Sequence, residues 1–358
     1  MKRIVIVAGT RPEIIKIAPI IRKLKEEKSK YIFVYTGQHY DHQLSNQIIT
    51  DLELPLPDYN FKLKSKIPST QIAEIMTNLE KISKKKNDII LVQGDTNSVL
   101  AASLFAIKQT KKLVHVEAGL RSFDWKMPEE HNRRMVDHIS DYLLAPTKES
   151  KQNLINEKIH GKIYVTGNTV MDAVKQHIEL SEKKSIIQNN IKFNEYILAT
   201  FHRAENVDNK KKIKDIIEGI IKSNLPIVIP LHPRTKKMLK KFNLYKKIET
   251  KNIQIIPPQG YLDFLSLMKN CKFIVTDSGG IQEESTSPFL AKRVIVLRNS
   301  TERPEAIENG NAILLQLNQQ KISKQLKFEW HNNFKKINKS PYGNGDASKK
   351  IIKILKKI

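Results

Sequence analysis

The sequence predicts an α/β protein with two Rossmann-like parallel-sheet domains that face a cleft. Three observations favour this fold class. Short apolar runs recur along the whole chain, stretches of helical spacing separate them, and 358 residues are too many for one ordinary core. Many of the runs are β-branched and lack polar alternation, which is typical of parallel strands covered by helices on both faces.

The apolar runs locate the strands of both domains. The predicted strands lie at residues 4–7, 31–35, 89–93, 113–116, 142–145 and 163–165, then at residues 196–201, 227–231, 253–256, 273–276 and 294–297. The segments between them have helical spacing, as Val99, Ala102 and Ile107 illustrate. We therefore expect alternating strands and helices in each half of the chain.

The domain boundaries follow from the same pattern. The first domain is predicted at residues 1–170, the second at residues 190–340, and the linker at residues 171–189. The Lys-rich tail at residues 346–358 has the spacing of an amphipathic helix, and we expect its apolar face to pack back on the first domain. A helix that lies on a membrane surface is the alternative interpretation of the tail.

Composition restricts the class of partner. The net charge is +25, from 62 Lys and Arg against 37 Asp and Glu. The lysines form runs at apparent helix ends, as at residues 84–86 and 210–212, and no nucleic-acid motif accompanies them. We interpret them as a solvated surface that attracts a dianionic substrate, and we expect no nucleic-acid partner.

Cysteine content and hydropathy indicate the compartment. The single cysteine, Cys271, excludes an internal disulfide and a cysteine-rich metal site, and we interpret it as a packing residue. No apolar run approaches the roughly 20 residues of a membrane span, and a strand begins at once, without a signal peptide. We therefore expect a cytoplasmic protein.

Polar loops follow the predicted strands at their carboxyl ends, where open parallel sheets bind ligands. Seven loops of this kind lie at residues 9–13, 37–39, 94–97, 117–121, 202–206, 232–234 and 277–284. Solubility alone does not explain seven charged loops at one edge of the sheets. They predict a binding site there.

The loop at residues 277–284 is the most informative. Ser278, Gly279 and Gly280 join a strand to a helix, so their backbone N–H groups are open to a phosphate or diphosphate. The carboxylates that follow are candidates to hold ribose or sugar hydroxyls.

A second loop, at residues 9–13, opens its backbone at Gly9 beside Arg11, and Lys16 follows in the same predicted helix. An exposed helix cap is the alternative role for Arg11. Two phosphate-binding loops on two α/β halves predict a nucleotide-sugar ligand.

Three carboxylates are candidates for acid–base chemistry. Asp95 ends a strand and alone reads equally as a helix N-cap, and Glu130 opens a predicted helix where acidic residues are favoured anyway. Glu117 follows a buried strand directly, so its carboxylate needs a partner or a raised pKa. Together the three offer the separate carboxyl groups that proton transfer on a sugar requires.

The remaining polar candidates are histidines. His202 follows a strand directly and could contact a diphosphate or carry a proton, whereas an ordinary polar loop is the alternative. His232 is similarly ambiguous, and His115, inside a strand, is interpreted as structural. The sequence has no His-x-x-x-His, cysteine cluster or Asp-x-Asp, and no P-loop or Gly-x-Gly-x-x-Gly, so we expect neither metal nor cofactor.

Taken in order, these segments resemble the non-hydrolysing UDP-N-acetylglucosamine 2-epimerases. The matching segments lie at residues 9–13, Lys16, 36–39, 93–96, 115–122, 128–133, 165–168, 202–206, 277–284 and 301–305. The local departures are Ala291-Lys292-Arg293, where the family usually has Gly-Lys-Pro, and residues 311–325. The first departure affects a local turn and not the predicted site. No functional residue of the family is assigned to the second segment.

The resemblance implies a fold like that of the B-type (GT-B) glycosyltransferases. It implies interconversion of UDP-GlcNAc and UDP-ManNAc, usually by a homodimer that supplies UDP-ManNAc for surface polysaccharides. UDP is eliminated to give 2-acetamidoglucal and is then added back. The catalytic residues implied are Asp95, Glu117, Glu130 and His202. Those implied for substrate binding are Arg11, Lys16, Ser278, Gly279, Gly280, Gln282, Glu283, Glu284 and Arg303, and those for an allosteric site are Gln38, His39 and His232.

Several alternatives remain at this point. A hydrolysing epimerase that releases ManNAc and UDP would use the same residues, and water access would decide between the two. An epimerase of another 2-acetamido UDP-sugar and a GT-B glycosyltransferase are further alternatives. A non-catalytic UDP-sugar sensor would not need all three carboxylates.

Overall fold

The structure is a computed structural model that describes residues 2–38, 42–332, 334 and 339–358. The chain divides into two compact units. The N-terminal unit comprises Met1–Ala173 together with Tyr342–Ile358, and the C-terminal unit comprises Val174–Pro341. The division falls inside one helix.

Each unit contains one parallel sheet. The strands are β1 Ile4–Ala8, β2 Tyr31–Tyr35, β3 Tyr59–Asn60, β4 Ile89–Gln93, β5 Lys112–Val116, β6 Tyr142–Ala145, β7 Lys162–Val165, β8 Ile197–Thr200, β9 Ile227–Pro230, β10 Ile253–Ile256, β11 Ile274–Thr276, β12 Val294–Val296 and β13 Ala312–Leu314. The N-terminal sheet has the order β3-β2-β1-β4-β5-β6-β7, and the C-terminal sheet has the order β10-β9-β8-β11-β12-β13. Both orders are those of a doubly wound Rossmann sheet.

Helices connect the strands. They are α1 Arg11–Glu26, α2 His42–Asp51, α3 Pro68–Ile82, α4 Asn97–Lys108, α5 Pro128–Ile139, α6 Lys148–Asn156, α7 Thr169–Lys184, α8 Ala204–Val207, α9 Lys210–Ser223, α10 Pro233–Lys241, α11 Tyr261–Asn270, α12 Gly279–Ser285, α13 Pro304–Glu308, α14 Gln319–His331 and α15 Ala347–Leu355. No described helix is both long and apolar enough to cross a membrane.

The central strands explain the unalternating apolar runs. All five residues of β1 and of β4 are buried, because each strand is covered on both faces and flanked on both sides. The helices contribute apolar faces to each core. For example, Ile213, Ile217 and Ile220 of α9 join the core of the C-terminal unit. The fold class predicted from the sequence is therefore confirmed: two parallel α/β sheets of the Rossmann type.

The tail helix α15 packs within the N-terminal unit. Its apolar residues Ile351, Ile352 and Leu355 are buried, and α15 contacts α1. The buried carboxylate of Asp172 fixes the start of the helix, because it accepts hydrogen bonds from the backbone N–H groups of Ala347 (3.0 Å) and Ser348 (2.9 Å). The tail is thus an integral helix of this unit.

The strand order places a switch point in each sheet. In the N-terminal unit β1 lies between β2 and β4, and in the C-terminal unit β8 lies between β9 and β11. Successive strands are added on one side of β1 or β8 and then on the other, so the loops at the carboxyl ends of the two central strands diverge. Ligands of doubly wound sheets bind at this position.

Candidate functional site

The first loop of the N-terminal unit is occupied by its own carboxylate. Glu13 is buried in the first turn of α1, and its Oε2 accepts hydrogen bonds from the backbone N–H groups of Gly9 and of Thr10, the latter at 3.1 Å. Burial raises the pKa of Glu13 to about 7, although hydrogen bonds from Thr96 and the two amides oppose the shift. The expectation that this loop offers free amides to a phosphate therefore does not hold for Gly9 and Thr10.

Gly9 serves close packing. A Cβ at this position would lie 2.0 Å from the Oγ of Ser98 and 2.6 Å from the Oγ1 of Thr36. Those two hydroxyls are hydrogen-bonded to each other at 2.7 Å. Arg11 is half-buried at the first residue of α1, so it remains the cation of this loop that is open to a ligand.

Glu117 forms a close, buried ion pair at this edge of the sheet. Its carboxylate accepts from the Nζ of Lys16 at 2.6 and 2.8 Å and from the Nε2 of Gln93 at 2.5 Å, and the residue is only 7% exposed. Its backbone has φ 70°, the left-handed region that a glutamate rarely adopts. Strain of this kind persists where the surroundings fix it, and it is concentrated at functional sites.

Asp95 is the more accessible carboxylate. Its Oδ2 accepts from the Nε of Arg133 at 3.2 Å and from the Nη2 at 2.5 Å, and its side chain is 28% exposed. Asn132 donates to the backbone carbonyl of Asp95 at 2.9 Å. Helix α5 therefore holds both the backbone and the side chain of Asp95.

Glu130 is fully buried and is surrounded by donors. Its Oε2 accepts from the backbone N–H and the hydroxyl of Ser122, both at 2.9 Å, and from the Nη1 of Arg133 at 2.9 Å. Its Oε1 accepts from the Nε of Arg134 at 3.0 Å. Burial by itself would raise the pKa of Glu130, but the Ser122 hydrogen bonds and the two guanidinium groups outweigh it and lower the pKa. Glu130 is thus held as an ionised, oriented carboxylate.

Gln38 closes the start of helix α4. Its Oε1 accepts from the backbone N–H of Ser98 at 3.0 Å and from the hydroxyl of Ser98 at 2.8 Å, which satisfies two donors at a helix N-terminus. His39, the other residue of this loop named from the sequence, lies outside the described residues. The geometry gives Gln38 a structural task in addition to its predicted allosteric one.

In the C-terminal unit, Asp277 organises the loop that follows β8. Its carboxylate is fully buried and accepts from the backbone N–H groups of His202 (3.0 Å) and Arg203 (3.1 Å), and from the Nδ2 of Asn206 (3.0 Å). The two central strands of this sheet are thereby connected through their loops. His202 and Arg203 are fixed at the switch point as a result.

The two glycines after Ser278 have different tasks. A Cβ at Gly279 would lie 2.6 Å from the Oε1 of Glu302, whereas a Cβ at Gly280 would meet nothing within 4 Å. Gly279 is therefore required for packing against Glu302. Gly280 borders open space at the first turn of α12, where backbone N–H groups are unpaired by the helix itself.

An arginine cluster surrounds Glu302. Its carboxylate accepts from the Nη2 of Arg203 at 3.0 Å and from the Nη1 of Arg298 at 2.6 Å. Burial would raise the pKa of Glu302, but the charges of Arg303, Arg203 and Arg298 lower it well below its usual range. The carboxylate is therefore an anion that holds guanidinium groups in place beside Gly279.

Comparisons with known proteins agree on one family. The sequence profile of UDP-N-acetylglucosamine 2-epimerase matches residues 22–356. A UDP-N-acetylglucosamine 2-epimerase of Methanocaldococcus jannaschii is 45% identical, and the alignment covers 98% of each chain. The chain belongs to the UDP-N-acetylglucosamine 2-epimerase family.

The structural comparison agrees. The crystal structure of Methanocaldococcus jannaschii UDP-GlcNAc 2-epimerase in complex with UDP-GlcNAc and UDP superposes with a TM-score of 0.88 at 44% identity, over 99% of this chain and 100% of the other. A relative that acts on a different sugar is also similar. The UDP-2,3-diacetamido-2,3-dideoxy-D-glucuronate 2-epimerase of Pseudomonas aeruginosa is 33% identical over 99% of this chain and all of its own.

The segment that the family resemblance assigns to uridine and ribose is largely buried. Gln282 donates to the carbonyl of Ser278 at 3.2 Å and accepts from the hydroxyl of Thr301 at 2.7 Å. Glu283 is fully buried in an ion pair with Arg303. Gln282, Glu283 and Arg303 therefore support the loop in this epimerase-family structure, and Glu284, which is half-buried, remains the accessible acid.

His202 and His232 lie side by side in the C-terminal unit, with ring centroids 5.1 Å apart. Burial lowers the pKa of His202, as do the charges of Arg203 and Arg234, although Asp277 opposes them. Burial also lowers the pKa of His232, with His202 and Arg234 contributing. The Nδ1 of His232 accepts from the backbone N–H of Arg234 at 3.1 Å, so this ring caps α10 in its neutral form.

The residues missed from the sequence are mainly those that hold the predicted ones. Arg133 and Arg134 lie three and four positions after Glu130 in a predicted helix, and this spacing was a usable signal. Glu302 and Arg298 lie four positions apart outside a helix, so no periodicity indicates them. Among the residues that the structure describes, no group of three or more His, Cys, Asp or Glu side chains could hold a metal ion.

Proposed function

We propose that the protein is a non-hydrolysing UDP-N-acetylglucosamine 2-epimerase, an isomerase that reversibly converts UDP-GlcNAc to UDP-ManNAc. Family membership supports the proposal, as does the relative crystallised with UDP-GlcNAc and UDP. The observation that carries it is the strained, buried Glu117 paired with Lys16, on the same sheet edge as Asp95. A sugar-binding protein without proton transfer would not need this arrangement.

The chemistry requires a base and a stabilised leaving group. The C2 proton of the sugar is not next to a carbonyl, so its removal needs assistance from departure of UDP at C1. The base takes the proton, the C–H electron pair forms the C1–C2 double bond, and the C1–O pair leaves with the diphosphate. Re-addition forms the same C1–O bond after a proton arrives on the opposite face of C2.

In this proposal the N-terminal unit supplies the proton transfers. Glu117 and Asp95 are the two acid–base groups. Lys16 favours the ionised form of Glu117 through an ion pair of 2.6 Å. Glu130 acts mainly by orientation, because its donors hold it ionised and it fixes Arg133, which in turn holds Asp95.

The C-terminal unit holds UDP in this proposal. The backbone N–H groups of Gly279 and Gly280 face the diphosphate, whereas that of Ser278 already donates to the Oγ1 of Thr276 at 3.0 Å, so the sequence-based expectation of an open amide does not hold at Ser278. His202 with Arg203 offsets the charge that develops as UDP departs. Glu284 binds the ribose. The ion pair between Arg303 and Glu283 fixes the conformation of the loop and does not contact UDP. We also propose a homodimer as the assembly, which sedimentation velocity measures directly.

A second candidate function concerns the sugar. The Pseudomonas aeruginosa relative is named for a 2,3-diacetamido glucuronate, and the alignment covers 99% of this chain. The same elimination and re-addition at C2 would serve that substrate. The difference lies in groups at C3 and C5 of the ring, remote from the proton that moves.

Product analysis tests the proposal. The purified protein is incubated with UDP-GlcNAc and, separately, with UDP-ManNAc, and the mixtures are separated by ion-pair chromatography with mass detection. We expect both reactions to converge on one mixture of the two UDP-sugars without free ManNAc. Accumulation of ManNAc and UDP would contradict the non-hydrolysing type, and turnover of only the diacetamido glucuronate would favour the second candidate.

A further inference from the structure

His115, inside β5, lies between two hydrogen-bond acceptors. Its Nδ1 is 2.7 Å from the Oδ1 of Asp137 on α5, and its Nε2 is 2.9 Å from the backbone carbonyl oxygen of Gly94. The ring is fully buried. Its register partners on the flanking strands, Val92 and Leu143, are apolar and offer no alternative hydrogen bond.

Asp137 is an ionised acceptor. It is fully buried, and burial by itself would raise its pKa, but His115 and Arg121 outweigh burial and lower the pKa. Its Oδ2 accepts from the Nη1 of Arg121 at 2.7 Å and from the backbone N–H of Gly119 at 3.1 Å. Arg121 is in turn paired with Glu157 at 2.6 Å, so the buried charges are balanced.

The geometry determines where the ring hydrogens lie. A carbonyl oxygen only accepts, so the contact with Gly94 requires hydrogen on Nε2. An ionised carboxylate only accepts, so the contact with Asp137 requires hydrogen on Nδ1. A neutral imidazole has one hydrogen and would direct a lone pair at an oxygen on the other side. Hydrogen on both ring nitrogens would satisfy both oxygens.

The two contacts extend to the loops that carry the proposed acid–base groups. Gly94 immediately precedes Asp95, and Gly119 follows Glu117 by two residues. Gly94 has φ 87° and Gly119 has φ 83°, so both turns use left-handed glycine backbone, which is free to move unless it is held. The carbonyl of one turn and the amide of the other are bonded to the His115–Asp137 pair.

We propose that His115 is a positioning residue, a buried imidazolium that holds the Asp95 turn directly and the Glu117 turn through Asp137. The inference rests on the proposed function, because its effect on turnover is an effect on proton transfer. The ring contacts neither the Asp95 nor the Glu117 carboxylate, so it would act on them only through the backbone and Asp137. The sequence gives no sign of this role, since His115 reads as an ordinary core histidine.

Two substitutions separate the two contacts. The amide of glutamine reaches the position of the histidine Nε2, and that of asparagine reaches the position of Nδ1. We expect His115→Asn to lose the Gly94 contact and to lower kcat about 100-fold, since a shift of about 1 Å in a reacting group has that effect. His115→Gln restores a donor to Gly94 and should recover at least tenfold of the loss. KM and the Kd for UDP should stay within about twofold in both variants.

His160→Gln is the matched control, because His160 is an exposed histidine of the same unit. It should retain wild-type kcat. Equal kcat in His115→Asn and the wild type would overturn the proposal. So would an equal loss in His115→Asn and His115→Gln that matches the fraction of unfolded protein in each sample.

Two measurements decide the inference without activity. In ¹⁵N NMR of histidine-labelled protein at pH 7.5, the wild-type ring signal that disappears in His115→Gln belongs to His115. That signal should show hydrogen on both nitrogens. A nitrogen with a free lone pair in that ring would overturn the proposal. A crystal structure of His115→Asn should show the Asp95 carboxylate displaced from Arg133, and an unmoved Asp95 would also overturn it. If the wild type turns over no UDP-sugar, the proposed function fails while these two results still judge the role of His115.

Discussion

The two units share a strand order but carry opposite charge arrangements at their switch points. In the N-terminal unit the central groups are carboxylates, each contacted by cations: Lys16 on Glu117, and Arg133 on Asp95 and Glu130. In the C-terminal unit the central groups are guanidinium and backbone N–H groups, which buried carboxylates such as Glu302 and Asp277 hold in place. One scaffold thus presents acids on one sheet and donors on the other.

The difference follows from what each half has to do in the proposed reaction. A base that takes a weakly acidic proton must be ionised before the reaction, and a neighbouring cation favours the ionised carboxylate. A leaving diphosphate needs donors that are fixed before its charge develops, since reorganisation during reaction costs free energy. In the N-terminal unit, cations orient the acids that transfer protons. In the C-terminal unit, anions hold in place the arginines that stabilise the leaving diphosphate.

The largest expected effect concerns the N-terminal unit. Glu117→Gln keeps the shape and the acceptor oxygen but removes the base, so kcat should fall about 1,000-fold or more. UDP affinity, measured by calorimetry, should stay within a few fold, because UDP binds the C-terminal unit in this account. A large loss of UDP affinity would show that Glu117 binds the nucleotide. It would contradict the assignment of proton transfer to the N-terminal unit and of UDP binding to the C-terminal unit.

Glu129→Gln is the control for this variant. Glu129 is an exposed glutamate in the first turn of α5, one residue before the buried Glu130. Its turnover should match the wild type. A comparable loss in Glu129→Gln would mean that kcat reports on general electrostatics and not on a specific base.

The next effect concerns the C-terminal unit. Gly280→Ala adds a methyl group into open space, so the fold should be unaffected or slightly stabilised, as alanine favours a helix over glycine by about 1 kcal/mol. UDP affinity should nevertheless fall at least about tenfold, because the methyl group covers the amides proposed to face the diphosphate. Calorimetry with UDP and thermal unfolding measure the two quantities.

Gly279→Ala gives the opposite pattern. Its Cβ would approach Glu302 to 2.6 Å, so this variant should lower the unfolding temperature. Wild-type UDP affinity in Gly280→Ala would place the diphosphate away from the first turn of α12.

The smallest effect concerns Glu13, the carboxylate that occupies its own loop. Its pKa is about 7 in the folded protein against 4.5 ordinarily, so between these values the folded state keeps a proton that the unfolded state has lost. The stabilisation from this group is complete below pH 4.5 and is lost as pH rises through 7. Glu13→Gln removes this titration. From pH 5 to pH 8 the free energy of unfolding of the variant should therefore rise relative to that of the wild type by more than about 1 kcal/mol.

Urea unfolding at the two pH values measures the difference. Glu26→Gln, an exposed position on the same helix, should show no such change with pH. A pH-independent difference for Glu13→Gln would mean that Glu13 is ionised throughout and that the first loop carries a permanent charge.

Much of the fold could be predicted because buried parallel strands are unmistakably apolar. The strands β2, β4, β6 and β10 have the predicted bounds, and the other predicted strands differ by one or two residues. Two strands were missed for physical reasons. Strand β3 consists only of Tyr59 and Asn60, both exposed, and β13 lies in the segment where the family resemblance is lost.

The candidate site was predictable at the level of loops but not of contacts. Sequence order places Asp95 and Glu117 at strand ends, and the structure puts both at one edge of the same sheet. The sequence could not show that Glu13 takes the amides of its own loop, or that Glu283 is buried against Arg303. These outcomes depend on tertiary geometry, which residue spacing does not encode.

Proton NMR of UDP-GlcNAc with the purified protein in deuterium oxide tests proton transfer at C2 directly. Removal of the C2 proton and its return from solvent predict that UDP-ManNAc grows with deuterium at C2, and that UDP-GlcNAc slowly acquires deuterium at the same carbon. In Glu117→Gln both signals should be absent while UDP still binds. UDP-ManNAc that retains its C2 proton would contradict the elimination mechanism, and with it the central role of the carboxylates in the N-terminal unit.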